Sequence, residues 1–199
     1  WISIIFILIS LIPISQVVIQ LIQYILSKTL EPKLIPKLDL YNKIPKDDAT
    51  MVVIPTIISN KEKTKEMFRK LEVDYLANKS KNIYFCLLGD CKESKMKQEN
   101  YDREVIKTGL EEVQKLNEKY GETEEDIFYF IYRKRIWNEG ENTYLGWERK
   151  RGALTDFSEF LLGKMNDAEI EKKFNVNTFL ENKKNLPNIK YVITLDSDT

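Results

Sequence analysis

The sequence contains no histidine and only two cysteines, Cys86 and Cys91, among its 199 residues. The absence of histidine excludes histidine-based triads, histidine general bases and histidine-rich metal sites within this chain. The cysteines lack a second pair that could build a zinc site or a disulfide framework, so we expect reduced thiols of the kind found in the cytosol. Acid–base or metal chemistry in this chain must therefore come from carboxylates.

The sequence also lacks an excess of either charge. Lysine plus arginine and aspartate plus glutamate both number 31, so the net charge is zero. A chain without a basic excess offers no broad surface to a polyanion, and nucleic acid is not an expected partner. The length suits one globular domain with an appendage. Because the sequence starts at Trp1 and stops within a motif, we expect a fragment of a longer polypeptide.

The first 27 residues carry no charged side chain. Residues 2–12 are almost purely apolar, Pro13 interrupts them, and a second helical pattern begins at Ser15. Spanning a bilayer takes about 20 apolar residues, so we interpret the first stretch as the end of a transmembrane helix. The second fits a helix in the membrane interface. A buried hairpin of a soluble protein is the alternative, and a signal peptide fits less well because a basic start and a cleavage site are missing.

Lysine and proline follow the apolar segment. The lysines are Lys28, Lys33 and Lys37, and the prolines are Pro32, Pro36 and Pro45. Positive charge beside a span favours the cytoplasmic side, and proline continues neither a helix nor a central strand. The sequence thus predicts a lipid-bound segment at residues 1–30, a connector at 31–49 and a cytoplasmic domain at 50–199.

After the connector, apolar blocks typical of strands alternate with amphipathic helical patterns. The strands are predicted at residues 51–54, 83–88, 127–132 and 191–195, and the helices at 61–78, 101–120 and 152–162. This alternation predicts an α/β fold with a mostly parallel sheet. The inner stripe of the first helix is predicted to contain Met67, Phe68, Leu71 and Leu76. Residues 166–187 are charged and weakly periodic, and an irregular insert is predicted there.

The last nine residues are Tyr191-Val-Ile-Thr-Leu-Asp-Ser-Asp-Thr199. A predicted buried strand runs here into two carboxylates, Asp196 and Asp198. Ligands of open α/β sheets bind beyond the carboxyl ends of the strands, and carboxylates suit a Mg²⁺ ion that shares its shell with substrate phosphates. The alternatives are a strand that ends in a polar turn and a haloacid-dehalogenase loop, which normally follows the first strand of its domain.

Other strand ends also carry polar residues, among them Asp90 and Arg133. Asp90 either accepts hydrogen bonds from a base or ribose, or caps a turn. Three cations precede a glycine at the predicted start of the third helix, in the order Arg149, Lys150, Arg151 and Gly152. Cations together with free helix N–H groups make an anion site, and a solvated surface is the alternative. The chain has neither a P-loop nor a dinucleotide fingerprint.

These blocks together resemble the glycosyltransferase domain of cyclic β-1,2-glucan synthases, glycosyltransferase family 84. The resemblance rests on Thr50-Met-Val-Val-Ile-Pro-Thr56, Tyr144-Leu-Gly-Trp-Glu-Arg-Lys-Arg-Gly152 and the last nine residues, and it covers nearly the whole chain after about Leu11. It implies a GT-A-type, Rossmann-like sheet with flanking helices. It also implies an inverting enzyme of the inner membrane that transfers glucose from UDP-glucose to a growing β-1,2-glucan acceptor.

The resemblance also implies roles for single residues. Asp196 and Asp198 would hold Mg²⁺ or Mn²⁺ on the UDP diphosphate. Pro55 and Thr56 would line the uridine pocket, and Asp90 would lie beside the base.

Arg149, Lys150 and Gly152 match the place of a Lys-x-Gly motif that contacts the donor in related processive synthases. The catalytic base is expected after Thr199, so the chain alone is expected to be inactive. Two alternatives stay open: another processive membrane β-glycan synthase of the cellulose or chitin kind, and a membrane-anchored GT-A-like module that binds without turnover.

Overall fold

The computed structural model describes residues 1–31, 44–121, 126–175, 178 and 186–197. Contacts between Cα atoms divide the chain into two units, Trp1–Asp39 and Leu40–Thr199. Most of the predicted connector lies outside the described residues, and so does the predicted metal ligand Asp198. The end of the connector is described, and there a 3₁₀ turn at Lys46–Asp48 follows Pro45.

The described chain contains five α-helices and six strands. The helices are α1 (Ile2–Thr29), α2 (Lys61–Ala77), α3 (Asn100–Tyr120), α4 (Arg149–Leu161) and α5 (Asp167–Lys173). The strands are β1 (Thr50–Ile57), β2 (Ile83–Asp90), β3 (Phe128–Tyr132), β4 (Ile136–Asn138), β5 (Thr143–Leu145) and β6 (Tyr191–Thr194).

Helix α1 forms the first unit as one continuous helix. The predicted interruption at Pro13 is wrong, because Pro13 lies inside the helix. A proline removes one backbone hydrogen bond, and the apolar helical turns on both sides continue across this gap. None of the residues of α1 is buried. By length and composition, its 28 residues are enough to cross a membrane, since a helix rises about 1.5 Å per residue and the hydrocarbon core is about 30 Å thick.

Four strands of the second unit form one sheet in the order β3-β2-β1-β6, and all neighbours are parallel. Strand β1 lies inside this sheet, in register with β2 along its full length and with β6 over its first four residues. The predicted α/β fold with a parallel sheet and helices is therefore confirmed.

Helices cover both faces of the sheet. Successive side chains of β1 point to opposite faces. Val52 and Ile54 join a core with α2 and α3, whereas Met51 and Val53 join a core with α4 and α5. A strand that is buried on both faces needs apolar residues at successive rather than alternate positions, which explains the apolar run Met51-Val-Val-Ile54 of β1.

The predicted inner stripe of α2 is correct except at its last position. Met67, Phe68 and Leu71 are buried, but Leu76 is 54% exposed and Tyr75 is 3% exposed. Side chains on one face of a helix recur every three or four residues. Four residues beyond Leu71, this spacing leads to Tyr75.

Strand β6 is not the buried strand that the sequence predicts. Its side chains are exposed along its whole length, and Val192 and Ile193 are 39% and 49% exposed. It lies at the edge of the described sheet, where it pairs with β1 alone, and none of its four residues joins either core.

The prediction of an irregular insert at residues 166–187 is also wrong in part, because α5 forms there. A capping box starts this helix: the Asn166 side chain accepts a hydrogen bond from the Glu169 N–H at 2.9 Å, and the Glu169 carboxylate accepts one from the Asn166 N–H at 3.0 Å. Such reciprocal bonds satisfy backbone donors that a helix start leaves free. Ile170 then anchors α5 in the core below the sheet.

We predict that Tyr75→Ala lowers the free energy of unfolding by about 3–5 kcal/mol, the range for removal of a large aromatic side chain from a core. The Tyr75 ring lies 5.7 Å from that of Phe85 and 5.1 Å from that of Phe128, between centroids. The control Leu76→Ala should change the stability by less than about 0.5 kcal/mol. Urea unfolding of the full-length protein, with limited proteolysis as the probe of the unfolded fraction, measures both changes in stability. Equal losses would contradict this register of α2.

Candidate functional site

The chain order of the sheet reverses between β1 and β6. From β1 the chain continues to β2 and β3 on one side, and it later places β6 on the other side of β1. In open α/β sheets, ligands bind beyond the carboxyl ends of the strands at such a reversal. Predicted site residues lie at the carboxyl ends of these two strands, namely Pro55 and Thr56 on β1 and Asp196 after β6. We call the space between these two strand ends the crevice.

Pro55 and Thr56 lie within β1 rather than beyond its end, and they pair in register with β2. On the other side of β1, the Leu195 N–H donates to the Val53 carbonyl at 3.0 Å. Alternate residues of a strand bond to the same neighbour, so the next donor on this side would be Pro55, which has no N–H. Pro55 therefore prevents the β1–β6 ladder from continuing, and the crevice starts there.

Asp196 contacts a residue of the predicted cationic run. The Lys150 Nζ lies 2.6 Å from the Asp196 Oδ1, and the two side chains are 46% and 56% exposed. The structure thus brings together two residues that the sequence separates by 46 positions. An exposed ion pair of this kind contributes about 0–1 kcal/mol, so the contact can be exchanged for another at little cost.

Helix α2 supplies a cation on the other side of the strand end. The Lys70 Nζ donates to the Ser197 carbonyl at 2.9 Å. A cavity of about 330 Å³ lies beside this contact. Its lining includes Asp196, Ser197, Ile54 of β1, and Lys70 with further residues of α2. Lys70 was not predicted from the sequence, because one lysine on a lysine-rich helix carries no signal that distinguishes it.

Helix α4 begins three residues earlier than predicted, at Arg149 rather than at Gly152. The three cations therefore belong to its first turn. Two successive residues, Glu148 and Arg149, have left-handed φ angles of 48° and 47°, a conformation that local sequence preferences disfavour. A Cβ atom on Gly152 would lie 1.8 Å from the Trp147 carbonyl oxygen, so only glycine allows this turn to fold against the helix.

The cations of this turn point to different partners. Arg149 Nη2 lies 3.3 Å from the Glu93 carboxylate, and Arg151 Nε lies 3.3 Å from that of Glu148. Of the three cations, Lys150 forms the described ion pair with Asp196. The side chains of the predicted anion-binding run thus pair with three different carboxylates in the described structure.

Arg133, at the end of β3, holds this turn in place. Its guanidinium is 2% exposed and lies 2.9 Å from the carboxylates of both Asp90 and Asp156. It also donates to the carbonyls of Trp147 at 3.0 Å and Arg149 at 3.2 Å. One buried side chain therefore joins the ends of β2 and β3 to the start of α4. Its five donors in a fixed fork suit arginine to this role.

The sequence analysis noted Arg133 only as a strand-end residue and missed Asp156. A signal for Asp156 exists in the spacing of α4. The buried residues of this helix are Gly152, Ala153, Asp156 and Phe157, so Asp156 occupies the apolar stripe. A carboxylate on such a stripe needs a buried cation, and Arg133 together with Lys173, whose Nζ lies 2.7 Å away, provides it.

Asp90 lies at the predicted strand end but is 5% exposed. Its Oδ1 accepts the Cys91 N–H at 2.9 Å, and its Oδ2 contacts Arg133. A Cβ atom on Gly146 would lie 2.1 Å from Oδ1, so the turn packs directly against the carboxylate. Burial raises the pKa of Asp90, and the Arg133 guanidinium opposes this rise. In this arrangement Asp90 supports the turn at residues 146–149.

The crevice offers one exposed carboxylate, that of Asp196, as a possible ligand to a divalent cation. The Asp196 carboxylate is exposed and already holds a cation, the Lys150 ammonium. Carboxylate oxygens combined with phosphate oxygens are the ligands that Mg²⁺ and Mn²⁺ prefer. Among the residues that the structure describes, no three histidine, cysteine, aspartate or glutamate side chains form a cluster that could hold a metal ion. Asp196 would therefore need a second ligand, and the predicted one, Asp198, lies outside the described residues.

Comparison with known proteins relates the chain to one bacterial enzyme. It is 32% identical over 198 residues to the cyclic beta-(1,2)-glucan synthase NdvB of Rhizobium meliloti (strain 1021). The alignment covers 99% of this chain but 7% of that protein, so the chain spans a small part of its relative. No protein family model matches the chain.

We predict that Arg133→Met lowers the free energy of unfolding by about 3–5 kcal/mol, because it leaves two buried carboxylates without their guanidinium. Arg103→Met, at an exposed position of α3, is the control and should stay within about 0.5 kcal/mol. Urea unfolding of the full-length protein measures both. If Arg133→Met does not fold, Arg133→Lys serves instead: it keeps the charge but loses the fork, and we expect a smaller loss. Wild-type stability in the arginine-133 variants would contradict the role of this side chain.

Proposed function

We propose that this chain is the donor-binding half of a membrane-bound, inverting glycosyltransferase that uses UDP-glucose to synthesise β-1,2-glucan. The observation that carries the proposal is the contact between Lys150 and Asp196, 2.6 Å long, at the reversal of the strand order. There a carboxylate and a cation stand together where an open α/β sheet binds its ligand. The similarity to a cyclic β-(1,2)-glucan synthase supports this choice of product.

We further propose that the sheet is the nucleotide-binding half of a GT-A-type fold. An open parallel sheet with helices on both faces, whose order reverses next to β1, is typical of nucleotide-binding α/β folds. Pro55 and Thr56 would line the uridine pocket at the end of β1. Asp90 would act near the base through the turn that it supports, since both of its oxygens already have protein partners.

The residues of the crevice suit a diphosphate. Asp196, with Asp198, would hold Mg²⁺ or Mn²⁺, which when bound would neutralise the diphosphate and stabilise UDP as a leaving group. Lys150 would bind the phosphate oxygens as a point charge, with Arg149 beside it in the first turn of α4. Gly152 would keep this turn close to the helix. The catalytic base is proposed to come from another part of the protein.

Helix α1 is proposed to place the protein in the inner membrane. It is apolar, contains no buried residue and is 28 residues long, and Lys28 lies in its last turn. Positive charge at the end of a span favours the cytoplasmic side. We therefore propose that the catalytic domain acts in the cytoplasm, where UDP-glucose is made.

We predict that Asp196→Asn in the full-length protein lowers UDP-glucose-dependent glucan synthesis by about 100-fold or more, a loss typical of removing an electrostatic contact to a developing charge. Asp47→Asn, at an exposed position of the 3₁₀ turn, is the matched control and should keep wild-type activity. Synthesis by membranes with radiolabelled donor measures the rate, and linkage analysis identifies the product. Unchanged synthesis by Asp196→Asn would contradict the site. A β-1,4-linked product would favour a synthase of the cellulose or chitin kind.

We predict that Lys150→Gln has opposite effects on the affinity for Mn²⁺ and on the affinity for UDP. Without UDP, the Lys150 ammonium competes with the metal for Asp196, so its removal should tighten Mn²⁺ binding about twofold to fivefold, as expected from an exposed ion pair. At saturating Mn²⁺, the same change removes a cation that would contact the diphosphate and should weaken UDP binding. Electron paramagnetic resonance measures free Mn²⁺, and calorimetry measures UDP binding.

Lys107→Gln, on the exposed side of α3 with its side chain 79% exposed, should change neither value. An effect of Lys150→Gln with the same sign on both affinities would show that Lys150 does not exchange between Asp196 and the diphosphate.

A further inference from the structure

The strand end that carries Asp196 is bonded from both faces of the sheet. Lys150 of α4 contacts the Asp196 carboxylate, whereas Lys70 of α2 donates to the carbonyl of the next residue, Ser197, at 2.9 Å. Helices α2 and α4 pack on opposite faces of β1. The two lysines therefore reach the same strand end from opposite sides, and each binds a different kind of acceptor there.

The two acceptors differ in their relation to a metal ion. The oxygen that binds Lys150 belongs to a carboxylate, the group that a divalent cation would also bind. The oxygen that binds Lys70 belongs to the peptide bond between Ser197 and Asp198, the second predicted ligand. A peptide unit is planar, so a bond to its oxygen restricts the backbone on both sides of it. Lys70 is thus placed to orient metal ligands without competing for a carboxylate oxygen.

Asp196 lies between two anchored residues. Before it, the Leu195 N–H donates to the Val53 carbonyl at 3.0 Å, and the Leu195 side chain packs against the core that β1 forms with α2 and α3. After it, Lys70 holds the Ser197 carbonyl. Because the backbone is held on both sides, the Asp196 side chain leaves the strand end in a defined direction. Without the Lys70 bond, the anchor at Leu195 would hold only one side.

The backbone below Lys70 is anchored in the core. Its neighbours on α2 are buried: Met67, Phe68 and Leu71 are 1%, 2% and 0% exposed. Asp74, one helical turn beyond Lys70, carries the opposite charge. Burial raises the pKa of Asp74, and the nearby Lys70 ammonium opposes this rise. A fixed helix and an attractive charge four residues away together keep the Lys70 ammonium on the side of α2 that meets the strand end.

A direct contact with the diphosphate is the other role that a cation could have here. Lys70 and Asp196 line the same cavity, so their positions alone agree with both roles. The two roles differ in what they require. A cation that binds the diphosphate has no effect on order before the donor arrives, whereas a bond to the Ser197 carbonyl already exists without the donor.

We propose that Lys70 is a positioning residue for the metal, which acts through the Ser197 carbonyl and fixes the segment that carries Asp196 and Asp198. Lys150 and Lys70 then have opposite effects on one site, because Lys150 competes for a ligand and Lys70 orders it. The identity of the bound ion rests on the proposed function, whereas the hold on the strand end rests on the contacts alone.

The affinity of the full-length Lys70→Met protein for Mn²⁺, measured without UDP by electron paramagnetic resonance, tests this role. Methionine keeps an apolar stem but loses the donor and the charge. By charge alone, the loss of a nearby cation should tighten Mn²⁺ binding, as we expect for Lys150→Gln. The loss of a positioning bond should instead weaken it about threefold to tenfold, as expected from one hydrogen bond.

Two further variants are the controls. Lys70→Arg keeps a cationic donor and should stay within about twofold of the wild type. Lys65→Met removes a lysine of α2 that is not among the described residues lining the cavity, and it should leave the affinity unchanged. Tighter or unchanged Mn²⁺ binding in Lys70→Met would overturn the proposal. If only UDP binding became weaker, Lys70 would be a direct contact of the donor.

Hydrogen exchange of the metal-free protein separates this role from the proposed function. The Leu195 amide should exchange faster in Lys70→Met than in the wild type and Lys65→Met, because the strand end opens more often. Exchange at the wild-type rate would overturn the proposal, whatever the metal does. An equal Mn²⁺ affinity of the wild type and Asp196→Asn would contradict the proposed function. Faster exchange in Lys70→Met would then still show that Lys70 holds the strand end.

Discussion

The rest of the second unit depends on the ion pairs and hydrogen bonds of one buried group, the guanidinium of Arg133. It compensates two carboxylates, Asp90 from β2 and Asp156 from α4, that would otherwise be buried charges without a partner. It also bonds two carbonyls of the turn that starts α4. The position of that turn decides where Lys150 lies, and so the interior of the fold determines the chemistry at its edge.

The interior and the edge use different cations for different tasks. Arg133 is fixed by four partners, two carboxylates and two carbonyls. Lys150 stands on a rigid backbone but carries its charge on a flexible, half-exposed stem. A rigid support and an exchangeable contact are what a site needs if one cation is to stay near Asp196 without the donor and to move to the diphosphate with it.

Sequence patterns predict the four strands of the parallel sheet, because each strand is marked by apolar residues that are neighbours in the sequence. The apolar run of β1 has one explanation, burial on both faces, and the alternation with helices implies parallel pairing. The start of α4 could not be predicted, since the left-handed angles at Glu148 and Arg149 are stable only with the buried network that packs against them. The exposure of β6 depends on what packs against its two faces, and periodicity carries no information about such neighbours. Lys70 could not be predicted for the same reason, because its role depends on Ser197, a residue far from it in the sequence.

The central claim is that a nucleotide diphosphate and its metal bind where β1 and β6 separate. An experimental structure of the full-length protein with UDP and Mn²⁺ tests it most directly. We expect anomalous signal for the metal beside the Asp196 carboxylate, the Lys150 Nζ displaced from Asp196 towards the diphosphate, and Arg133 unchanged. A nucleotide bound elsewhere, with Lys150 still on Asp196, would contradict it.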